Sequence, residues 1–506
     1  MFEQNHLLQQ FNAIKIGHED SLFAKTKSGG ELTYGQLYEN AFAIAAHIQK
    51  MGVVVGDRIV VQAPKSLTVI ETYLACLMSG AIFIPLNTAY TLGEVSYFLE
   101  DAKPKIFICD ADKVDSYETL PDAIKPDVIL CLDADGKGSF IENLPDATEA
   151  KIISRKKDDI AAILYTSGTT GRSKGAMLSH ENLWSNAQVL RDLWRFQRTD
   201  TLIHALPIFH AHGLFVAINV TLATGSSLLF HQKFDVEDVL NDLPDATVLM
   251  GVPTFYTRLL QEDRLTKNLT ENMRLFISGS APLLADTHHQ FEDRTGHRIL
   301  ERYGMTETGM NSSNPYEGER RAGTVGFPLP GTEILITDQE TGTPLPNGEI
   351  GSLEIRGPNV FKGYWQMPEK TKEEIRENGF FISGDLARID EDGYITIVGR
   401  SKDLIISGGY NIYPKELELV IDEFAEVDES AVIGVPHPDF GETVIAILVA
   451  KPDTQPDLKK LENSLSESLA SFKRPRKLIL VDELPRNTMG KVQKNLLRQT
   501  YQDLFK

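Results

Sequence analysis

Cysteine is scarce: Cys76, Cys109 and Cys131 are the only three in 506 residues, each among apolar neighbours. Their spacing fits neither a disulfide framework nor a metal knuckle, which leaves buried thiols in a reducing compartment. Long apolar runs are missing too. No stretch approaches the 18 residues that a helical membrane span needs. Basic runs are absent and the formal net charge is -20, which disfavours nucleic acid and anionic membrane as partners. The first residues carry Glu3 and no apolar signal core, so a cytoplasmic, soluble protein acting on small molecules is expected. Neither an internal repeat nor a low-complexity tract is found.

What is present is ordinary globular composition, 42% hydrophobic and 24% charged, over a length that calls for two to four domains. Thr33 and Gln36 spell a capping box ahead of Leu37, Ala41, Ile44 and Ile48, with Gly52 closing the helix. Strands at 58–62, 82–84 and 105–109 alternate with helices at about 66–79 and 92–101, the pattern of a largely parallel sheet covered on both faces. A strand at 247–252 runs through Pro253 into a helix that Thr254 could cap, carrying Arg258 one turn in. From about Arg321 short alternating segments with frequent Gly and Pro predict a β-rich subdomain to about residue 400. Segment 399–411, GRSKDLIISGGYN, reads as a linker between rigid bodies. The last hundred residues read as a small α/β unit in which Asp457 precedes leucines at helical spacing.

The chain is organised around residues 163–175, ILYTSGTTGRSKG. An apolar strand breaks into ten residues with three Thr, two Ser and three Gly. Glycines let backbone N–H groups close around an anion, hydroxyls add donors, and Arg172 and Lys174 add charge. This is a phosphate cradle, but not a Walker A loop, since Ser173 stands where the second Gly is required.

TSGTTGRSKG, YGMTET (303–308), SGDL (383–386), GRSKDLI (399–405) and PRNTMGK (485–491) occur in one order, and together they resemble the acyl-adenylating (ANL) superfamily over essentially the whole chain. Within it, LPLNTAYT, HALPIFHAHGLF, VLMGVPTFYTRLLQ and SGSAPLLADTH are similar to the malonyl-CoA synthetases. The resemblance implies an α/β fold: a large N-terminal domain (1–401) of layered, mostly parallel sheets that includes the β-rich subdomain, and a small mobile C-terminal α+β domain (402–506) hinged at Lys402.

It also implies an ATP-dependent malonate–CoA ligase working through malonyl-AMP, with Mg²⁺ as cofactor and ATP and CoA as co-substrates, as a monomer or homodimer. Ligation of another short acid (methylmalonate, oxalate or acetate) and loading of a carrier protein are the alternatives. Thr166, Ser167, Gly168, Thr169, Thr170, Gly171 and Lys174 would cradle the β- and γ-phosphates. Tyr303 would stack on adenine beside Gly304, Thr306 would bond the α-phosphate and Glu307 would hold Mg²⁺, for which a carboxylate is the expected hard ligand. Asp385 would take the ribose hydroxyls with Arg400 in support. Lys491 would bridge the attacking carboxylate and the α-phosphate.

For the thioester step, Gly408 and Gly409 would wall a pantetheine tunnel guarded by His210. A diacid also requires a cation in the acyl pocket, because an uncompensated second carboxylate is costly to bury. Arg258 is the candidate, with Ser278 as a donor and Ala211 and Met310 bordering the acyl α-carbon.

Overall fold

The computed structural model describes residues 2–166, 173–407, 410–438, 440–469, 471–487 and 490–505. Two compact units result: residues 1–333 with 355–379, and residues 334–354 with 380–506.

The larger unit holds two sheets. One has six strands in the order Val128–Leu132, Ile106–Asp110, Arg58–Gln62, Ile82–Pro85, Ile160–Thr166 and Lys174–Ser179. All its neighbours are parallel except the last pair, an antiparallel hairpin registered Thr166 to Lys174. Its central strands, such as IFIP, are buried along their length because helices cover both faces. The helix Leu67–Ser79 shows the consequence: from Val69 onward every residue is buried, and Gly80 ends it in the left-handed conformation.

The other sheet has nine strands. Its middle five (Thr201–His204, Ser227–Phe230, Val248–Gly251, Leu275–Ser278 and Leu300–Met305) are parallel neighbours, with Leu22–Thr26 parallel beyond Ser227–Phe230. Antiparallel strands close both edges. A cluster of Phe276, Tyr256, Leu259, Phe291 and Leu249 packs one face. The capping box at Thr33 and Gln36 forms as expected, and similar boxes start the helices Leu92–Ala102 and His180–Leu193.

The smaller unit joins a four-stranded sheet (Glu333–Thr337, Gly351–Arg356, Phe381–Ile389, Ile395–Arg400) to a five-stranded one built on the long antiparallel pair Val427–His437 and Gly441–Ala450. Ile395–Arg400 runs through a single turn, Ser401–Asp403, into the next sheet. The expected linker is correspondingly short. Ile405–Ser407 and Tyr410–Ile412 pair as a hairpin, and Ser407 pairs with Gly441. Apolar Ile405 and Ile412 enter the core there, which a solvated linker would not permit. Asp457 caps Leu458–Ser468 through the N–H groups of Lys459 and Lys460.

Candidate active site

Of the phosphate-loop candidates, Ser167, Gly168, Thr169, Thr170 and Gly171, with Arg172, lie outside the described residues, as do Gly408 and Gly409. The stem is described. Thr166 is half-buried and its hydroxyl stands 3.5 Å from Glu307 Oε1. Lys174 is 7% exposed and is already engaged: its ammonium meets Glu374 Oε1 at 2.9 Å and lies 4.1 Å from the Tyr364 ring centroid. The Tyr364 hydroxyl stands 2.6 Å from Glu374 Oε2 and 3.1 Å from Glu307 Oε1. Burial tends to raise the Glu374 pKa, but the Tyr364 hydrogen bond and Lys174 outweigh it and hold the carboxyl below its ordinary value.

The YGMTET segment is itself a hairpin. Leu300–Met305 pairs antiparallel with Gly309–Ser313, Tyr303 faces Ser312, and a bulge falls between Tyr303 and Gly304. The turn presents Thr306 into a small cavity also lined by Ala211, Phe215 and Gly309. Glu307 is buried, 6% exposed. Met310 is buried beside it, its backbone held at both N–H and C=O by Asn186. A buried acid with hydroxyls near its oxygens fits a hard cation. Among the described residues no group of three or more His, Cys, Asp or Glu gathers for a metal. A Mg²⁺ here would therefore take Glu307 and complete its shell with nucleotide phosphate and water, as that ion commonly does.

Next to this hairpin lies a cluster of buried polar groups that sequence reasoning saw only in part. His212–Ile218 is wound as a π-helix, a form that concentrates at functional sites. One of its carbonyls, that of Gly213, accepts from His204 Nε2 at 2.8 Å. A side chain at Gly213 would run into Pro207 O, 2.1 Å from an ideal Cβ, so only glycine fits that turn. The segment brings up His210 and His212. Burial lowers the His210 pKa to about 4 and holds that of His212 well below its ordinary value, with Arg302 adding repulsion at His212. Both imidazoles are neutral near pH 7. Ser280, at φ +70°, sets its hydroxyl 3.3 Å from His212 Nδ1.

Arg302 is the residue the sequence analysis missed. It is 3% exposed, and its Nε and Nη2 have no hydrogen-bond partner among the described residues. Burial pushes the guanidinium pKa down to about 9. Its head lies over Gly279, where an ideal Cβ would come within 2.4 Å of Cζ. Ser278 Oγ and the Nε2 atoms of His210 and His212 are likewise buried without partners among the described residues. Buried polar groups left in this state cost roughly 1–3 kcal/mol each unless a ligand completes them. A signal existed: two charges, Glu301 and Arg302, interrupt an otherwise apolar strand.

Arg258, the expected acyl-pocket cation, is exposed. Its helix, Pro253–Leu260, starts with Val252 at the cap rather than Thr254. Phe255, Tyr256 and Leu259 fill the buried face, and the 3.6-residue period turns Arg258 outward.

In the smaller unit, Asp385 and Arg400 stand opposite each other on neighbouring strands, and Arg400 Nε meets Asp385 Oδ1 at 2.6 Å. The Asp385 N–H donates to Ser383 Oγ within the strand Phe381–Ile389, which carries the SGDL motif. Lys402 is exposed in the turn Ser401–Asp403. Its neighbours are tied down, Ser401 to Gln339 and Asp403 to Arg498. Lys491 is held by its backbone: its N–H donates to Asn487 Oδ1 at 3.0 Å and its carbonyl accepts from Asn487 N–H at 2.9 Å. Protein atoms crowding its stem lower the ammonium pKa and Arg400 acts the same way, while Asp385 and Asp403 oppose them.

A hairpin stem that sets the Thr166 hydroxyl beside a buried metal-competent acid suits an enzyme that handles a nucleotide phosphate. The comparisons make the class definite: the chain belongs to the AMP-binding enzymes, matching that family's model over residues 15–365 and the AMP-binding enzyme C-terminal domain over 416–491. It is 34% identical to the malonate–CoA ligase of Arabidopsis thaliana, over 99% of this chain and 91% of that one. It is 32% identical to the mouse (Mus musculus) mitochondrial malonate–CoA ligase ACSF3, over 97% and 90%. The crystal structure of ATP-bound MatB from Rhodopseudomonas palustris superposes with a TM-score of 0.95 at 54% identity, covering 99% of this chain and all of that one.

Proposed function

We propose that this chain is an ATP-dependent malonate–CoA ligase, joining malonate, ATP and CoA into malonyl-CoA, AMP and pyrophosphate through malonyl-AMP. The observation that carries the substrate is Arg302. A guanidinium withdrawn from water with two N–H-bearing nitrogens unmatched is poised for a carboxylate, which it can take through two parallel hydrogen bonds. Ser278 and the two neutral histidines supply further polar atoms around the same anion. A fatty or aryl acid would leave all of them unsatisfied, a strong basis for rejection.

In the first step the reacting carboxylate attacks the α-phosphorus. Like charges must approach, so positioning and electrostatic stabilisation carry the rate. Thr166 to Gly171 bind the outer phosphates and Thr306 the α-phosphate, and Glu307 would hold the Mg²⁺ that neutralises developing charge when bound. Tyr303 and Gly304 hold the adenine, and Asp385 with Arg400 holds the ribose. Lys491 would neutralise the two reacting anions as they approach. In the second step Lys491 withdraws, Lys402 serves as the pivot, and the CoA thiol reaches the adenylate past His210 and the Gly408–Gly409 pair. Ala211 and Met310 border the acyl chain. The enzyme works in the cytoplasm on small molecules, with no nucleic acid or membrane as partner. No helix among the described residues is long and apolar enough to cross a membrane.

The test is a pyrophosphate-release screen over malonate, methylmalonate, oxalate, acetate and butyrate, with and without CoA, and with thioester product identified by mass. Malonate should lead and require CoA for turnover. Preference for a monocarboxylate would overturn the substrate; thioester formation on a carrier protein but not on CoA would overturn the ligase.

A further inference from the structure

Glu374 has no part in the chemistry described above, yet it reaches both halves of the nucleotide site. It ends the helix Pro368–Glu374 and is 20% exposed at its side chain. One oxygen holds Lys174, the other meets the Tyr364 hydroxyl, and Lys370 approaches at 3.2 Å. We propose that Glu374 is a positioning residue for MgATP, anchoring Lys174 at the stem of the phosphate loop and orienting Tyr364 against Glu307. This deepens the proposed function by changing what Lys174 does: the ammonium ties the hairpin stem down, and the charge on the phosphates is met by the loop itself and by Mg²⁺.

Three observations support the anchor. Lys174 opens the strand Lys174–Ser179 and faces Thr166 in register, so fixing its side chain fixes the base of the loop. Its ammonium is enclosed by a carboxylate and an aromatic face, both of which strengthen as water is excluded. Tyr364 has one proton for two carboxylates; Glu374 is the nearer by half an ångström, 2.6 against 3.1 Å. Held by Glu374, the Tyr364 hydroxyl stays a fixed neighbour of Glu307.

The anchor and a direct phosphate contact by Lys174 predict opposite signs. If Glu374 merely competed with phosphate for Lys174, removing its charge would tighten ATP. As an anchor, Glu374→Gln should weaken MgATP binding about tenfold, measured by calorimetry without acid or CoA, and leave KM for malonate and CoA within about twofold. Lys174→Met should weaken ATP to a similar degree, and the double variant should be no worse than either single one. Tyr364→Phe, which deletes one oxygen, should weaken ATP binding in the presence of Mg²⁺ more than in EDTA. Tighter ATP binding in Glu374→Gln, strictly additive losses in the double variant, or a Tyr364→Phe loss equal with and without Mg²⁺ would each overturn the proposal. Because binding is read without acid, failure here is separable from failure of the malonate assignment, which the substrate screen decides.

Discussion

Lys174 and Arg302 are both cations withdrawn from solvent within the larger unit, 7% and 3% exposed, and they are held in opposite ways. Lys174 has its counter-ion built in, with an aromatic face beside it. Arg302 has no carboxylate described against it, two nitrogens unmatched, and a pKa pushed down to about 9 by burial. Burying a charge costs several kcal/mol unless partners repay it. A paired cation can belong to the scaffold. An unpaired one is a standing expense that makes sense when a ligand brings the missing anion, and the same strand that carries Arg302 leads directly into Tyr303, Thr306 and Glu307. Charge alone therefore says little about role; its satisfaction in the folded state says more.

The contrast is sharpest under substitution. Arg302→Met should cut kcat/KM for malonate at least a hundredfold, in line with the roughly 2–5 kcal/mol lost on truncating one partner of a buried charged contact. Thermal unfolding should be unchanged or move upward, since an unmatched charge leaves the interior. Glu374→Ala should do the reverse. Stranding Lys174 in its pocket should cost stability by about 3 kcal/mol, seen in denaturant midpoints at constant m-value. If Arg302→Met unfolds the protein and Glu374→Ala does not, the assignment of scaffold and site is inverted.

A smaller effect follows from the imidazoles of the same pocket. His210 has a folded pKa of about 4, below its ordinary value, because burial disfavours the cation. The unfolded chain therefore binds the proton first as pH falls. Stability from this residue is complete above about pH 6.5 and is lost progressively as pH drops towards 4. His180, lowered by burial to about 3, acts the same way. His210→Gln should flatten the fall of unfolding free energy between pH 6.5 and 4 without removing it, read from denaturation curves at several pH values. An unchanged slope would mean that His210 is solvated and open to protonation.

Much of this was legible in the chain. Alternating strands and helices, the capping box at Thr33 and the ordered motifs from Thr166 to Lys491 are local patterns, and local chemistry fixes them. What escaped depends on long-range placement. Glu374 meets Lys174 across 200 residues of sequence, and no spacing rule connects them. Arg302 lay beside a recognised motif but belongs to a strand, where a charge reads as an edge or a surface until the neighbouring strands are known. Segment 399–411 reads as a linker because Gly and charge are frequent in it. Ile405 and Ile412, only a few residues on, are drawn into a core that the segment alone does not reveal.

The smallest expected effect concerns Arg258, whose helix turns it to solvent while Phe255, Tyr256 and Leu259 face inward. Arg258→Ala removes an exposed charge from the last turn of a short helix, where a cation gains a few tenths of a kcal/mol from the helix dipole. Stability should shift by no more than about 0.5 kcal/mol, and kcat/KM should stay within about twofold on both malonate and butyrate. Solvent screening is the reason: a cation in water cannot select a diacid as a desolvated one can, because water already satisfies the competing carboxylate. A loss above tenfold on malonate with butyrate untouched would show that this helix reorients when acid binds. Recognition would then be shared between two arginines, and the distinction between a waiting cation and a solvated one would no longer separate site from surface.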